Sequence, residues 1–142
     1  MTMMLVGLFF AMAVFLVGQF SVDAFCFENA LETDNLLIVQ LTNAGSGFVS
    51  FRQRLRPGQK ECCNYQNLDC NQSNGGNNVM TTFQRSVFEP QWDSTVKTSV
   101  AEIDVPSGGF CRHSGDPADP TVEVYNAYGQ QIEAVVRRIP QP

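Results

Sequence analysis

The chain is poor in the residues on which most catalytic and nucleic-acid chemistry depends. Its 142 residues include one histidine, one tryptophan and nine Lys plus Arg against fourteen Asp plus Glu. A single histidine, His113, excludes the usual His-rich catalytic metal sites, which draw on two or more imidazoles. A nucleophile and its base need a third group to orient them, and no Gly-x-Ser-x-Gly elbow is present. A net charge of −5 supplies no basic field for nucleic acid. No amphipathic helical window appears beyond residue 24. Cys62, Cys63, Cys70, Cys111 and His113 are zinc-ligand types, but their spacing does not match a paired-knuckle site. No cofactor, no metal, no nucleic-acid partner and no enzymatic activity are expected.

What the chain does have begins at its first residues. Met3 to Val17 is almost purely apolar and is followed by Gln19, Ser21, Asp23 and the small Ala24. This reads as a signal peptide spanning 1–24, with Val22 and Ala24 at the −3 and −1 positions of the cleavage rule, although the stretch before the apolar run carries no Lys or Arg. A membrane anchor is the rival reading, but a spanning helix needs about 18 or more apolar residues, and polar residues interrupt this run at about that length. The expectation is a secreted, extracellular protein with no membrane association in its mature form. Residues 25–142 would make one domain, a size that can bury a real core.

An oxidising compartment turns thiols into bridges. Three of the five cysteines fall in the polar segment Cys62-Cys63-Asn64-Tyr65-Gln66-Asn67-Leu68-Asp69-Cys70-Asn71-Gln72-Ser73. Adjacent strand residues point to opposite faces, so Cys62 and Cys63 should bond different partners. The favoured pairing closes one of them onto Cys70 and the other onto Cys111. Cys26 is then left unpaired and free to link two copies as a disulfide-bonded dimer. The competing pairing draws Cys26 into the domain and frees another cysteine. Asn71-Gln72-Ser73 is a glycosylation triplet, which implies a surface position for Asn71.

Strands dominate the remainder. Leu36 to Thr42 is an aliphatic run closed by Asn43-Ala44-Gly45-Ser46-Gly47. Phe48 to Leu55 alternates, with Val49, Phe51 and Leu55 on one face and Ser50, Arg52 and Arg54 on the other. Val79 to Phe88 is a third strand, stopped at Pro90. Ser94 to Val105 is a fourth, whose apolar phase slips between Val100 and Ile103 as a bulge would make it do. Pro106-Ser107-Gly108-Gly109 is a turn, and Thr121 to Asn126 with Gln131 to Ile139 reads as a terminal hairpin around Ala127-Tyr128-Gly129-Gln130. Glu28 to Asn35 has room for a helical turn. About six to eight short strands between Gly, Pro and Asn turns point to an all-β fold, a single disulfide-stapled antiparallel β-sandwich, immunoglobulin-like or similar, with a β-barrel as the alternative.

Function narrows to binding. Arg52, Arg54 and Arg56 recur at period two, so an extended backbone aligns three guanidinium groups able to grip carboxylate or phosphate. The competing reading is a solvated sheet face balanced by acids on neighbouring strands. Trp92, in Glu89-Pro90-Gln91-Trp92-Asp93, is the leading aromatic candidate for sugar stacking or a protein contact, followed by Tyr65 and Tyr128. His113 reads as an exposed loop residue. Asp116 and Asp119 read as solvated loop acids. A small hydrolase would need such a carboxylate pair to flank a cleft.

The run Arg56-Pro57-Gly58-Gln59-Lys60-Glu61-Cys62-Cys63-Asn64-Tyr65, followed by Asp69-Cys70-Asn71, resembles small, uncharacterised secreted cysteine-containing β-proteins of fungi. The resemblance covers about sixteen residues and implies secretion and β-structure, with no activity attached. The expectation is therefore a secreted non-enzymatic binding or interaction protein, effector-like, whose partner is an extracellular glycan or protein. The alternatives are a small carboxylate-based hydrolase and a structural wall or matrix protein cross-linked through its odd cysteine.

Overall fold

The computed structural model of the chain describes residues 24–42, 50–65, 67–71, 76–90 and 95–142. The leader, except for Ala24, and Trp92 lie outside the described residues, as do Val49, Gln72 and Ser73. Among the described residues ten strands follow one another: β1 (Ala24–Leu31), β2 (Leu36–Leu41), β3 (Arg52–Leu55), β4 (Lys60–Asn64), β5 (Met80–Pro90), β6 (Thr95–Pro106), β7 (Phe110–Gly115), β8 (Thr121–Tyr125), β9 (Gln131–Ile132) and β10 (Val136–Arg138). They form two five-stranded sheets, in the orders β4-β1-β7-β8-β9 and β10-β6-β5-β2-β3. The fold is a disulfide-bonded all-β sandwich, not a closed barrel.

Alternation builds the core. From β1, Phe25 and Phe27 point between the sheets, and Phe51 and Phe83 meet them from the other side. Phe83 contacts three rings edge-on, with centroids 5.0 Å from Phe25, 4.8 Å from Phe27 and 6.0 Å from Phe51, the geometry that aromatic quadrupoles favour. Leu37, Val39, Leu55, Val87, Ile103, Val105 and Val124 complete the apolar layer, each no more than 1% exposed. Asn29 joins the sheets through polar contacts. Its Nδ2 donates to Asn35 O and to Leu55 O, both at 2.9 Å, and its Oδ1 accepts from Leu31 N at 3.1 Å.

Turn chemistry sets the connections. Gln59 N donates to Arg56 O at 3.0 Å across Pro57-Gly58, with Gly58 at φ 77°. Gly109 N donates to Pro106 O at 2.8 Å across Ser107-Gly108, with Gly108 at φ 75°. Proline or serine first and a left-handed glycine second is the type II pattern. Gly109 itself cannot carry a side chain, because a Cβ there would collide with the carbonyl oxygens of Tyr125 and Pro106.

Several sequence expectations need correction. Residues 28–31 belong to β1 and form no helical turn, because β1 is an interior strand, antiparallel to β4 on one side and parallel to β7 on the other. That parallel pair makes the first sheet mixed. The bulge in β6 exists, but at Thr98, between the pairs Val87↔Ser99 and Phe88↔Lys97. It does not cause the phase slip at Val100. Val100 faces outward in a ladder position beside Ser86, whereas Ile103 and Val105 face the core. The expected final strand breaks after Ile132, so that β9 pairs with β8 while β10 crosses to the other sheet and pairs with β6.

The expected closure of one adjacent cysteine onto Cys70 is present, but the other bonds Cys26 and not Cys111. Cys26 bonds Cys62, its direct cross-strand partner, and Cys63 bonds Cys70. The two adjacent cysteines do point apart. Cys26 is not the odd thiol; Cys111 is, fully buried on β7. Cys111 sits opposite Phe27 on the core face, whereas Cys26 lies on the opposite face of β1, where β4 passes directly beside it.

Candidate functional site

β3 is the edge strand of its sheet, and it places the arginines as the alternation requires. Arg52 and Arg54 are exposed and face outward, Leu55 is buried in the core, and Arg56 follows, exposed, at the start of the turn. At a rise of about 3.3 Å per residue, alternate side chains stand about 7 Å apart. The neighbouring strand puts Gln40 beside Arg52 and Ile38 beside Arg54, and no acid. Continuing across the sheet, the row through Arg52 reads Gln40, Gln84, Glu102 and Arg137.

The acids of this face are consumed at its other end. Arg137 reaches Glu102 at 3.4 Å and Asp104 at 2.6 Å, and Thr82 Oγ1 donates to Asp104 Oδ1 at 2.7 Å. The hydrogen bond from Arg137 holds the Asp104 carboxyl below the usual carboxylate range. Arg112 pairs with Glu28 and Glu123, and Arg138 pairs with Asp119. Among the described residues, Arg52, Arg54 and Arg56 enter no ion pair. The balanced solvated face considered from the sequence is therefore not what β3 presents.

The aromatic candidates do not assemble. Tyr65 is 8% exposed and belongs to the core cluster, so it is no surface platform. Tyr128 is 75% exposed at the tip of the β8–β9 hairpin, where Asn126 and Gly129 close the loop, and this hairpin lies at the opposite edge of the sandwich from β3. The Phe110–Tyr125 pair on the outer face of the first sheet stacks with centroids 5.7 Å apart, and Lys60 Nζ sits 4.6 Å above the Phe110 ring. Asn71, expected at the surface as a glycan acceptor, is 1% exposed.

His113 is also misplaced by the sequence reading. It lies on the core face of β7, fully buried, with Nδ1 4.0 Å from Cys111 Sγ. Burial pushes its imidazole down to about 3, with the nearby Arg85 charge acting in the same direction and a backbone hydrogen bond to Glu28 opposing it. Burial likewise pushes the Cys111 thiol up. A protonated, inaccessible thiol beside a neutral imidazole has neither the thiolate nor the access that a nucleophile needs. Asp116 accepts from Ala118 N at 2.8 Å within its own turn.

The residue that sequence reasoning missed is Arg85, which is 2% exposed on β5. Its signal was parity: Phe83 and Val87 are core residues, so Arg85 between them must point inward as well.

No protein-family model matches the chain, and neither a curated protein nor a solved structure shows detectable similarity to it.

Proposed function

We propose that the protein is a secreted, non-enzymatic binding protein that docks an anionic extracellular partner on the arginine edge of β3. One observation carries the reading: the exposed Arg52 and Arg54 stand on an edge strand whose paired neighbours bear no counter-charge, with the exposed Arg56 following at the turn, while the acids of the same face are held by Arg137. Unpaired arginines keep their bidentate capacity for carboxylate, sulfate or phosphate. The two disulfides are compatible with an oxidising, extracellular setting.

An acidic glycan suits this edge better than a neutral one, since β3 offers arginines and no aromatic ring for stacking. The alternatives lose their supports. Asp119 is paired with Arg138 and Asp116 caps its own turn, which weighs against a carboxylate hydrolase. The odd cysteine is buried, which removes the route to an intermolecular bridge on which a matrix role rested. Binding to a panel of uronate-bearing, sulfated and neutral glycans tests the proposal. Retention of the acidic members alone supports it; selective capture of neutral members overturns it. Binding of acidic peptides in place of any glycan moves the partner to the protein class.

A further inference from the structure

Arg85 stands in a conflict that the apolar core does not resolve. Its side chain lies between the sheets, yet among the described residues no carboxylate comes within ion-pair distance. Nη1 donates to Ser99 Oγ at 2.8 Å, and that hydroxyl in turn reaches Pro117 O at 3.0 Å. Nε has no partner at all. Buried charges are ordinarily paired, and a group that breaks such a rule marks a functional position more often than a defect. Asp119 acts on Arg85 only from beyond ion-pair distance and is itself held by Arg138, while the buried neighbours add no negative charge, because Cys111 holds its proton and His113 is neutral.

The space beside Arg85 is shaped for what is missing. Across the ladder, the row reads Val39, Arg85, Ala101 and Arg138, so the two guanidinium-bearing side chains flank the small, buried Ala101, with Arg138 at the exposed end. A recess of ≈ 440 Å³ opens beside the two arginines, with Arg85, Arg138 and Asp119 on its polar side and Pro120, Val122, Ala134 and Val136 on its apolar side. A second recess of ≈ 320 Å³ adjoins it and shares both arginines. Volumes of about 300 to 1,000 Å³ are typical of small-molecule sites. Arg138 stands at the rim, held by Asp119.

We infer that this recess binds a small organic carboxylate with a branched aliphatic body. The carboxylate lies against the Arg85 guanidinium with Arg138 at the mouth, and the aliphatic part packs on Val122, Ala134 and Val136. The site is separate from the β3 edge: Arg85 faces between the sheets, and Arg52 and Arg54 face out.

Titration of the folded protein with 4-methylpentanoate, its neutral amide and inorganic phosphate, followed by NMR or calorimetry, tests this. The acid should bind with millimolar or better affinity, and the amide and phosphate should each bind at least about tenfold weaker. Arg85→Met should lose at least about tenfold in affinity for the acid, a difference of about 1.4 kcal/mol. Arg138→Gln, at the rim, and Ala134→Leu, which fills the apolar side, should each weaken it without unfolding the domain. They keep the test decisive if Arg85→Met does not fold. Neutralising Arg52, Arg54 and Arg56 should leave this binding unchanged. Equal binding of acid and amide, phosphate binding as tight as the acid, unaltered affinity in Arg138→Gln and Ala134→Leu, or no binding of the acid at about 10 mM each overturns the inference.

Discussion

Opening the two disulfides one at a time should cost different amounts, and the order follows from where they lie in the chain. Cys26 and Cys62 are separated by 36 residues, Cys63 and Cys70 by 7. A cross-link stabilises chiefly by restricting the unfolded chain, and the loop-closure relation gives ~4 kcal/mol for the longer loop and ~2 kcal/mol for the shorter. Cys26 and Cys70 are both buried, whereas Cys62 is exposed and Cys63 half-buried against the core, so replacing the short-loop pair by alanine loses somewhat more packing, which narrows the difference without reversing it. For a domain of this size each kcal/mol moves the thermal midpoint by roughly 3 to 5 °C. Cys26→Ala with Cys62→Ala should therefore lower it by ~12 to 20 °C, and Cys63→Ala with Cys70→Ala by ~6 to 10 °C. Equilibrium unfolding in guanidinium, with the denaturant slope compared alongside, measures both. Equal losses, or a larger loss for the short loop, would refute the assignment of the long bridge to Cys26. Finding Cys111 in a bridge on non-reducing peptide mapping would do the same.

Three other outcomes follow from the packing. Phe83→Ala removes the ring on which Phe25, Phe27 and Phe51 converge and should cost about 3 to 5 kcal/mol in chemical denaturation; a loss below about 1 kcal/mol would mean that the cluster does not organise the core. Asn29→Ala strands the carbonyls of Asn35 and Leu55 between the sheets and should cost about 1 to 3 kcal/mol, whereas a stability equal to wild type would contradict the bridging role. His113 binds its proton less readily folded than unfolded, so the unfolded chain takes up more protons as the pH falls below about 6.5, and stability is lost with acidification toward about 3. Between pH 6.5 and 4.5 that amounts to about 2 to 3 kcal/mol, and a flat stability profile across the window would show that His113 is not buried neutral.

The sandwich was legible because its signals are local. Phe51, Leu55, Arg52 and Arg54 alternate as a half-buried strand must, Pro57-Gly58 and Ser107-Gly108 carry the turn chemistry they need, and Cys62 and Cys63 diverge for the reason that strand neighbours do. What escaped was set by non-local pairing. Cys26 directly follows the apolar N-terminal segment in sequence, but β1 is threaded between β4 and β7, which brings Cys62 directly opposite it. His113 and Cys111 lie in a segment whose Gly and Pro neighbours suggest a loop, yet β7 is sandwiched between β1 and β8 and turns both side chains into the core. Tyr65 lies inside the polar segment from Cys62 to Ser73 and is nonetheless core, because the Cys63–Cys70 bridge folds that segment back on itself. The arginine edge was anticipated from periodicity alone; that its counter-charges are missing depends on which residues β2 places alongside, a matter of register no single strand reveals. The burial of Arg85 could have been read from its parity with Phe83 and Val87, but its lack of a partner could not.

The arginine edge is tested most directly by comparing two triple variants of equal charge on an immobilised sulfated glycan such as heparin. One is Arg52→Gln, Arg54→Gln and Arg56→Gln; the other is Arg112→Gln, Arg137→Gln and Arg138→Gln, whose arginines already have acidic partners. Exposed ionic contacts are worth about 0.2 to 1 kcal/mol each, so losing three should weaken binding by roughly 3- to 150-fold. The β3 variant should show that loss with unchanged thermal stability, wild-type binding should weaken as salt rises, and the control variant should bind nearly as wild type. Equal losses in both variants, or none in the β3 variant, would contradict the role given to the arginine edge.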